Sequence, residues 1–477
     1  METQERGRLW TLILVSVGLF MVVLDNLVVN VALPSIHNDF GASVQALEWT
    51  VNAYVLAYGV LLLTGAALGD RFGRRRMFVL GISLFTAASA GAALAPNADL
   101  LIAARAIQGA AAAVVTPLTL TLLANAFPPE KRGIALGVWS GISGIAVAIG
   151  PLVGGAMIEI ANWHWIFWLN VPIGIVLAPL AFRKLEESFG PKAPLDFPGL
   201  ALASTGLFGL VFGLVRAQTI GWTSAEVMIS LGAGIVLIAA FVRQELRTKQ
   251  PMLPMSFFAK RSFAVTNVVS MAMYFGMFGS IFFLSQFMQN VLGNSPLEAG
   301  LKLLVWTGAT MVVAPLAGVF SEKVGPRWFM VAGISLQGAA LAYLALVAST
   351  TVSYVTMIPA FVAAGAGMAL VFAPAASAVL NSVRVDQAGQ ASGATNAIRE
   401  LGGTFGIAVL ATVFSGAGAY TTPQEFVNGM VPALWVGGAV LAFGALVAAL
   451  LPFGGKATTA EDAEYAELHP DPLPAAN

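Results

Sequence analysis

Apolar residues run through the chain in stretches of about 20, broken by short polar connections. Fourteen such stretches are legible, centred near Leu24, Ala57, Thr86, Val114, Ala146, Pro172, Phe208, Val236, Phe278, Met311, Leu341, Ala364, Ala408 and Phe443. A stretch of this length spans the hydrocarbon layer as one α-helix. Barrel strands alternate apolar and polar over about ten residues, a pattern that is not found. The pattern therefore predicts an all-α membrane protein of fourteen transmembrane helices.

The connections carry the charge. With the N-terminus placed in the cytoplasm, all of the 24 basic residues except Arg105, Arg216, Lys302 and Arg399 fall at the cytoplasmic ends. Lys and Arg accumulate on that side of a membrane. One missed span would destroy this regularity, so it supports an even span count with both termini inside. The first stretch is too long for a signal-peptide core and has no small-residue cleavage site behind it, so it is read as retained. Asn162–Asn170 (NWHWIFWLN) brings three tryptophans to the predicted outer surface, where indoles favour the headgroup layer.

The polar exceptions inside the apolar stretches are the candidates for chemistry. The first helix, Trp10 to about Ala32, reads WTLILVSVGLFMVVLDNLVVNVA, with Asp25, Asn26 and Asn30 in its apolar core. A carboxylate at a helix centre costs about 2.5–3.5 kcal/mol on insertion scales, and such a residue faces the protein interior or a water path. Arg105 and Gln108 interrupt the fourth helix in the same way. Glu159 sits near the outer end of the fifth, as a solvated helix end or a minor outer acidic site. Met271, Tyr274 and Phe278 belong to a soft aromatic ninth helix that could line a permissive cavity.

Composition narrows the classes. Of 477 residues, 58% are hydrophobic and 10% charged, against roughly 25% charged in a soluble domain. There is no cysteine and only three histidines, so thiol chemistry, disulfides and a His-rich metal site are not expected. Net charge is zero, with no signal for nucleic-acid binding.

The chain repeats itself at an offset of roughly 255 residues. Ala66–Arg75 (AALGDRFGRR) is echoed by Gly318–Arg327 (GVFSEKVGPR), so Asp70 corresponds to Glu322, Gly73 to Gly325 and Arg75 to Arg327. Asn125, Gly133 and Gly137 recur as Asn381, Gly389 and Gly393. The repeat predicts a six-helix bundle over 1–190, two inserted helices within 191–255, a second bundle over 256–455 and an acidic, disordered cytoplasmic tail over 456–477. Internal repeats of this kind mark secondary transporters. The repeat is also a control: the counterparts of Asp25 and Arg105 fall in uncharged stretches near Phe275 and Val362, so the helices form without either ion.

The connection holding Asp70, Arg71, Gly73, Arg74 and Arg75 needs a tight turn, which Gly73 permits, and its arginines can meet anionic headgroups. Anchoring alone does not need the carboxylate kept at Glu322. Asp70 is therefore read as part of a gate, pairing with a loop arginine or with a helix N-terminus of the other half. The fifth helix carries Gly133, Gly137, Gly141 and Gly144, then Gly150, Pro151, Gly154 and Gly155. Four-residue spacing makes a smooth face for close packing across the two halves.

These motifs together resemble the major facilitator superfamily. Gly65–Arg76 is similar to its loop signature, Leu101–Pro117 to its fourth-helix motif through Arg105, Gln108 and Gly109, and Ala146–Gly155 to its fifth-helix antiporter motif. Leu24–Pro34 (LDNLVVNVALP) resembles the first-helix motif of the fourteen-helix drug:proton antiporters, with Leu27 in place of the usual threonine. Trp163–Gly174 and Arg399–Val409 resemble the same family, with His164 and Glu400 where Arg and Gln are common.

The resemblance implies the major facilitator fold, two pseudo-symmetric six-helix bundles plus two extra central helices, in a bacterial-type inner membrane. It implies a monomer that exports small lipophilic, often cationic drugs in exchange for protons, with membrane lipid around it. The proton gradient drives it; no cofactor and no catalytic residue is expected. Asp25 and Arg105 would couple the proton. Asp70, Arg71, Gly73, Arg74, Arg75, Glu322, Gly325 and Arg327 would gate, and Gly150, Pro151, Gly154 and Gly155 would form the antiporter helix. Asn26, Asn30, Gln108, Tyr274 and Phe278 are the candidate cavity lining. The rival readings are an exporter of one metabolite, antibiotic or lipid on the same scaffold and, more distantly, a non-transporting membrane sensor.

Overall fold

A computed structural model describes residues 2–41, 44–190, 196–248 and 251–452. The acidic tail from 456 lies outside the described residues, as do the side chains of Asn30, Pro151 and Glu322.

The described residues form helices and no strand. The long ones are α1 (Glu2–Phe40), α2 (Val44–Phe72), α3 (Arg74–Ala93), α4 (Ala98–Ala126), α5 (Pro129–Ile160), α6 (Trp165–Lys184), α7 (Phe197–Ile220), α8 (Ala225–Arg247), α9 (Arg261–Asn290), α10 (Pro296–Val324), α11 (Pro326–Val347), α12 (Tyr354–Asn381), α13 (Ala388–Ala417) and α14 (Pro423–Ala448). Thirteen of them are long and apolar enough to cross a membrane among the described residues, and α5 adds a further 32-residue helix. Each predicted centre falls inside one of the fourteen. α1 is longer at both ends than the apolar pattern indicated, because helix continues past the apolar core into polar residues.

The halves repeat one packing scheme. In the first, α4 packs on α2 and α3, α1 on α5, and α3 on α6; in the second, α12 packs on α10 and α11, α9 on α13, and α11 on α14. The halves meet along two equivalent seams, α5 with α10 and α2 with α13. The inserted helices α7 and α8 form a hairpin, and α7 rests on α2 and α13. They are central in the chain but lie outside the bundles.

The repeat is visible in the backbone. Gly73 (φ 105°) and Gly325 (φ 93°) both hold the positive-φ turn between the second and third helices of their halves. A side chain is strained there.

One end of the molecule gathers the N-terminus and the basic connections. Basic side chains there cap helix C-termini, where the backbone dipole favours positive charge. Arg132 Nη2 donates to Ala124 O at 2.9 Å and Arg8 Nε to Ala126 O at 3.2 Å on α4. Lys260 Nζ donates to Ser382 O at 2.8 Å, at the end of α12.

The opposite end carries the tryptophans. Trp165 is half exposed, as a headgroup residue would be, but Trp163 is buried. Its indole packs edge-on against Phe40 at 5.3 Å and donates to Asp39 at 3.0 Å. Only part of the aromatic cluster is therefore available to the interface.

The close approaches between halves lie toward the basic end. Gly133 faces Gly318, Gly137 faces Ala314 and Pro315, and Gly144 faces Thr310 on one seam; Gly393 faces Ala66 on the other. Ser392 Oγ donates to Pro117 O at 3.1 Å, tying α13 to α4. The halves are closed against each other at this end.

Candidate functional site

Asp25 lies where five helices of the first half converge. α1 supplies the carboxylate, α4 supplies Arg105 and Gln108, α6 supplies Asn170, α3 supplies Ser89 and α2 supplies Thr50 and Tyr54. Asp25 is 1% exposed and Arg105 not at all. Arg105 Nη1 donates to Asp25 Oδ2 at 2.5 Å. Asn170 Nδ2 and Gln108 Nε2 donate to Asp25 Oδ1 at 2.7 and 3.1 Å. The carboxylate thus accepts three side-chain hydrogen bonds, an arrangement suited to its ionised form.

The surroundings hold the donors in place. Gln108 Oε1 accepts from Arg105 Nη1 at 3.0 Å, and Gln108 Nε2 is also 2.7 Å from Ser89 Oγ. Arg105 Nε donates to Thr50 O at 3.2 Å. The guanidinium lies 4.3 Å over the Tyr54 ring, a cation–π contact. Arg105 Nη2 has no hydrogen-bond partner among the described residues.

The gating residues also come together, with a partner the sequence did not nominate. Asp70 Oδ1 takes a hydrogen bond from Arg74 at 2.8 Å, and both are buried. Arg74 Nη2 reaches across to the other half and donates to Asp386 O at 2.8 Å. The Asp70 carboxylate lies against Gly389 in the first turn of α13, with no room for a Cβ there. A negative charge at a helix N-terminus is stabilised by the backbone dipole. Arg75 and Arg76 sit within 3.6 and 3.5 Å of Glu187. Arg74 and Arg75 therefore turn into protein rather than toward headgroups, while Arg71 is exposed. In the second half, Arg327 Nη1 donates to Leu451 O at 3.2 Å.

Two expectations change. The glycines of α5 do not form one face. Gly133, Gly137, Gly141 and Gly144 face α10 across the seam, but Gly150 and Gly154 face Leu27 and Val28 of α1, in their own half, and Gly155 faces open space. The helix turns 100° per residue, so the six-residue step from Gly144 to Gly150 leaves the seam face. Gln108, expected in the cavity lining, is fully buried in this form and belongs to the Asp25 cluster.

Asn26 and Tyr274 are half buried, as is Phe278, whose ring is 5.6 Å from that of Tyr274. Glu159 is exposed at the far end of α5. Asn170, Ser89, Thr50 and Tyr54 were not singled out from the sequence. Asn170 carried a signal, since it is a lone amide entering an apolar stretch.

The sequence profile of the Major Facilitator Superfamily matches residues 15–407 and, in a second match, 266–474. The chain belongs to the major facilitator superfamily. It is a multi-pass integral membrane transporter, and its relatives include resistance exporters. It is 33% identical over 430 residues to the tetracenomycin C resistance and export protein of Streptomyces glaucescens, covering 90% of this chain and 80% of that protein. It is 35% identical over 413 residues to multidrug resistance protein Stp of Mycobacterium tuberculosis (strain CDC 1551 / Oshkosh), covering 86% and 76%. It is 34% identical over 440 residues to puromycin resistance protein pur8 of Streptomyces alboniger, covering 89% and 86%. Among solved structures, the human organic anion transporter MFSD10 (TETRAN) superposes with a TM-score of 0.68 at 14% identity, covering 92% of this chain and 99% of that one. At that identity the likeness is one of fold alone.

Proposed function

We propose that the chain is a proton-coupled antiporter that exports small lipophilic, often cationic compounds by alternating access. It works as a monomer in a bacterial plasma membrane, with the basic end and both termini in the cytoplasm. The form described here is then the outward-facing one, closed at the cytoplasmic side.

The observation that carries this reading is the sealed Asp25–Arg105 pair. Its ions have no counterpart in the second half, so the fold does not require them. Protonating Asp25 removes the charge that holds Arg105 and replaces one acceptor site by a donor. Arg105 must then find other acceptors, and α1 and α4 change their contact. In the proposed cycle the inward form takes substrate with Asp25 ionised; in the outward form Asp25 takes a proton as substrate leaves, and the proton is released inside. Each proton supplies roughly 2.3 kcal/mol per 100 mV and 1.36 kcal/mol per pH unit.

The relatives' names favour a second, narrower reading, an exporter of one antibiotic: tetracenomycin C, puromycin and methylenomycin A each name a similar protein. Transport by purified protein in vesicles with an imposed pH gradient separates the two, using a panel of cationic, neutral and anionic compounds. Gradient-driven accumulation of several cations supports the broad reading, and a single accepted compound supports the narrow one. If Asp25→Asn still concentrates substrate against a gradient, the proton site lies elsewhere.

A further inference from the structure

The two seams between the halves are built alike but differ at one level. Gly389 and Gly393 of α13 repeat Gly133 and Gly137 of α5, so Arg399 and Glu400 stand where α5 has Ser143 and Gly144. Likewise Asp70 repeats as Glu322, which sets Tyr58 of α2 against Thr310 of α10. On the α5–α10 seam this level is packed with small groups alone, Gly144 against Thr310. On the α2–α13 seam the same level holds a carboxylate, a guanidinium and a tyrosine. The close-packed seam shows that closure does not need these groups.

The groups gather near the middle of α2 and α13. Glu400 lies two turns along α13 from Gly393, which packs on Leu62 and Ala66, so it stands on the face of α13 that meets the preceding turn of α2, the turn of Tyr58. Glu400, Tyr58, Tyr274 and Phe278 are each partly exposed. Arg399 lies beneath them, 1% exposed, with its guanidinium 5.7 Å over the Tyr274 ring and 5.0 Å over Phe372. None of its three nitrogens has a hydrogen-bond partner among the described residues. It directly precedes Glu400 in the chain, so a guanidinium stands beside the carboxylate. Arg399 is thus covered by aromatic faces, and the carboxyl group beside it is the partly exposed member of the two.

A partly exposed carboxylate among aromatic rings is the chemistry that recognises an organic cation: the ring faces attract the charge and the carboxylate neutralises it. We propose that Glu400, with Tyr58, Tyr274 and Phe278, recognises the positive charge of a lipophilic cationic substrate, apart from the proton site at Asp25. The proposal rests on the antiport reading above and adds the substrate-specificity residue to it. Asp25 is unsuited to the task, since five helices bury it and three donors occupy it.

Position along α2 connects the two sites. Thr50, Tyr54, Tyr58, Leu62, Ala66 and Asp70 are four residues apart, and this row winds around the helix at about 26° to its axis. It starts against Arg105, through Thr50 O and the Tyr54 ring, which stacks on Tyr58 at 6.0 Å. It continues through Tyr58 at the level of Glu400 and ends at Ala66 and Asp70 against Gly393 and Gly389 of α13. One ridge therefore touches the buried ion pair, the cation site and the gate.

Equilibrium binding to the purified full chain tests this without any gradient. Tetraphenylphosphonium serves as cation and N-phenyl-1-naphthylamine as neutral aromatic probe. Glu400→Gln, which changes charge but hardly shape, should weaken tetraphenylphosphonium binding about 10- to 100-fold and leave the neutral probe within about twofold. Tyr274→Leu, which leaves both charges in place, should weaken the cation about two- to fivefold. Unchanged cation affinity in Glu400→Gln, equal loss of both probes, or a wild-type protein that does not bind the cation would each overturn the proposal. If cation binding depends on Glu400 while no pH gradient drives transport, the antiport reading fails and the site stands.

Discussion

Arg105 Nη1 donates to Asp25 Oδ2 at 2.5 Å, joining the acid in the apolar core of α1 to the single base of α4 with no exposed atom on the guanidinium. A buried pair of this kind is costly to assemble and more costly to break, because removing one member strands the other charge. The pair is therefore a sensitive point for both stability and transport.

Asp25→Asn should abolish accumulation driven by a pH gradient in vesicles while leaving exchange of substrate down its own gradient measurable. Coupled transport needs a group that binds and releases the proton, and downhill exchange does not. Uphill accumulation at the wild-type rate would contradict the assignment.

The same substitution leaves Arg105 without its counter-ion. Thermal unfolding in detergent should show a loss of about 3–5 kcal/mol for Asp25→Asn and a similar loss for Arg105→Gln. The double variant should recover much of it, a coupling of about 1 kcal/mol or more in the cycle. Additive losses would mean that the pair is not an energetic unit.

Arg74 ties Asp70 to Asp386 O of the other half. Arg74→Ala should favour opening of the basic end. The chain has no cysteine, so Ser392→Cys, beside the α4 contact, reports on that end through its rate of maleimide labelling. Labelling should be several-fold faster in the Arg74→Ala background, and an unchanged rate would remove Arg74 from the gate.

The split of the α5 glycines gives a paired test. A Cβ at Gly137 would lie 2.8 Å from Pro315 Cα and 2.9 Å from Ala314 O, both backbone atoms that cannot turn aside. At Gly155 nothing lies within 4 Å. Gly137→Leu should cost about 1–3 kcal/mol or more by overpacking and suppress transport by holding the halves apart at the basic end. Gly155→Leu should leave transport near wild type. Equal behaviour of the two variants would contradict the two-face description.

The sequence alone determined much of this. Apolar length marked fourteen spans, because hydrocarbon thickness translates directly into residues of helix. The repeat of Ala66–Arg75 at Gly318–Arg327 gave the two halves, and the positive-φ turns at Gly73 and Gly325 follow from it. Asp25 and Arg105 stood out because ions are rare in apolar stretches. The facing of each helix was not legible in the same way. A helix in lipid is apolar on every side, and lipid-facing and protein-facing positions read alike, since no hydrophobic driving force separates them. Only the tertiary structure could bring Asn170 to Asp25 across 145 residues, turn Gln108 from cavity lining to buried ligand of the carboxylate, and place Gly150 on α1. It also decided that one seam closes on Gly144 and Thr310 while the other holds Glu400 beside Tyr58. That difference depends on which residues face each other between helices, a relation that no single segment encodes.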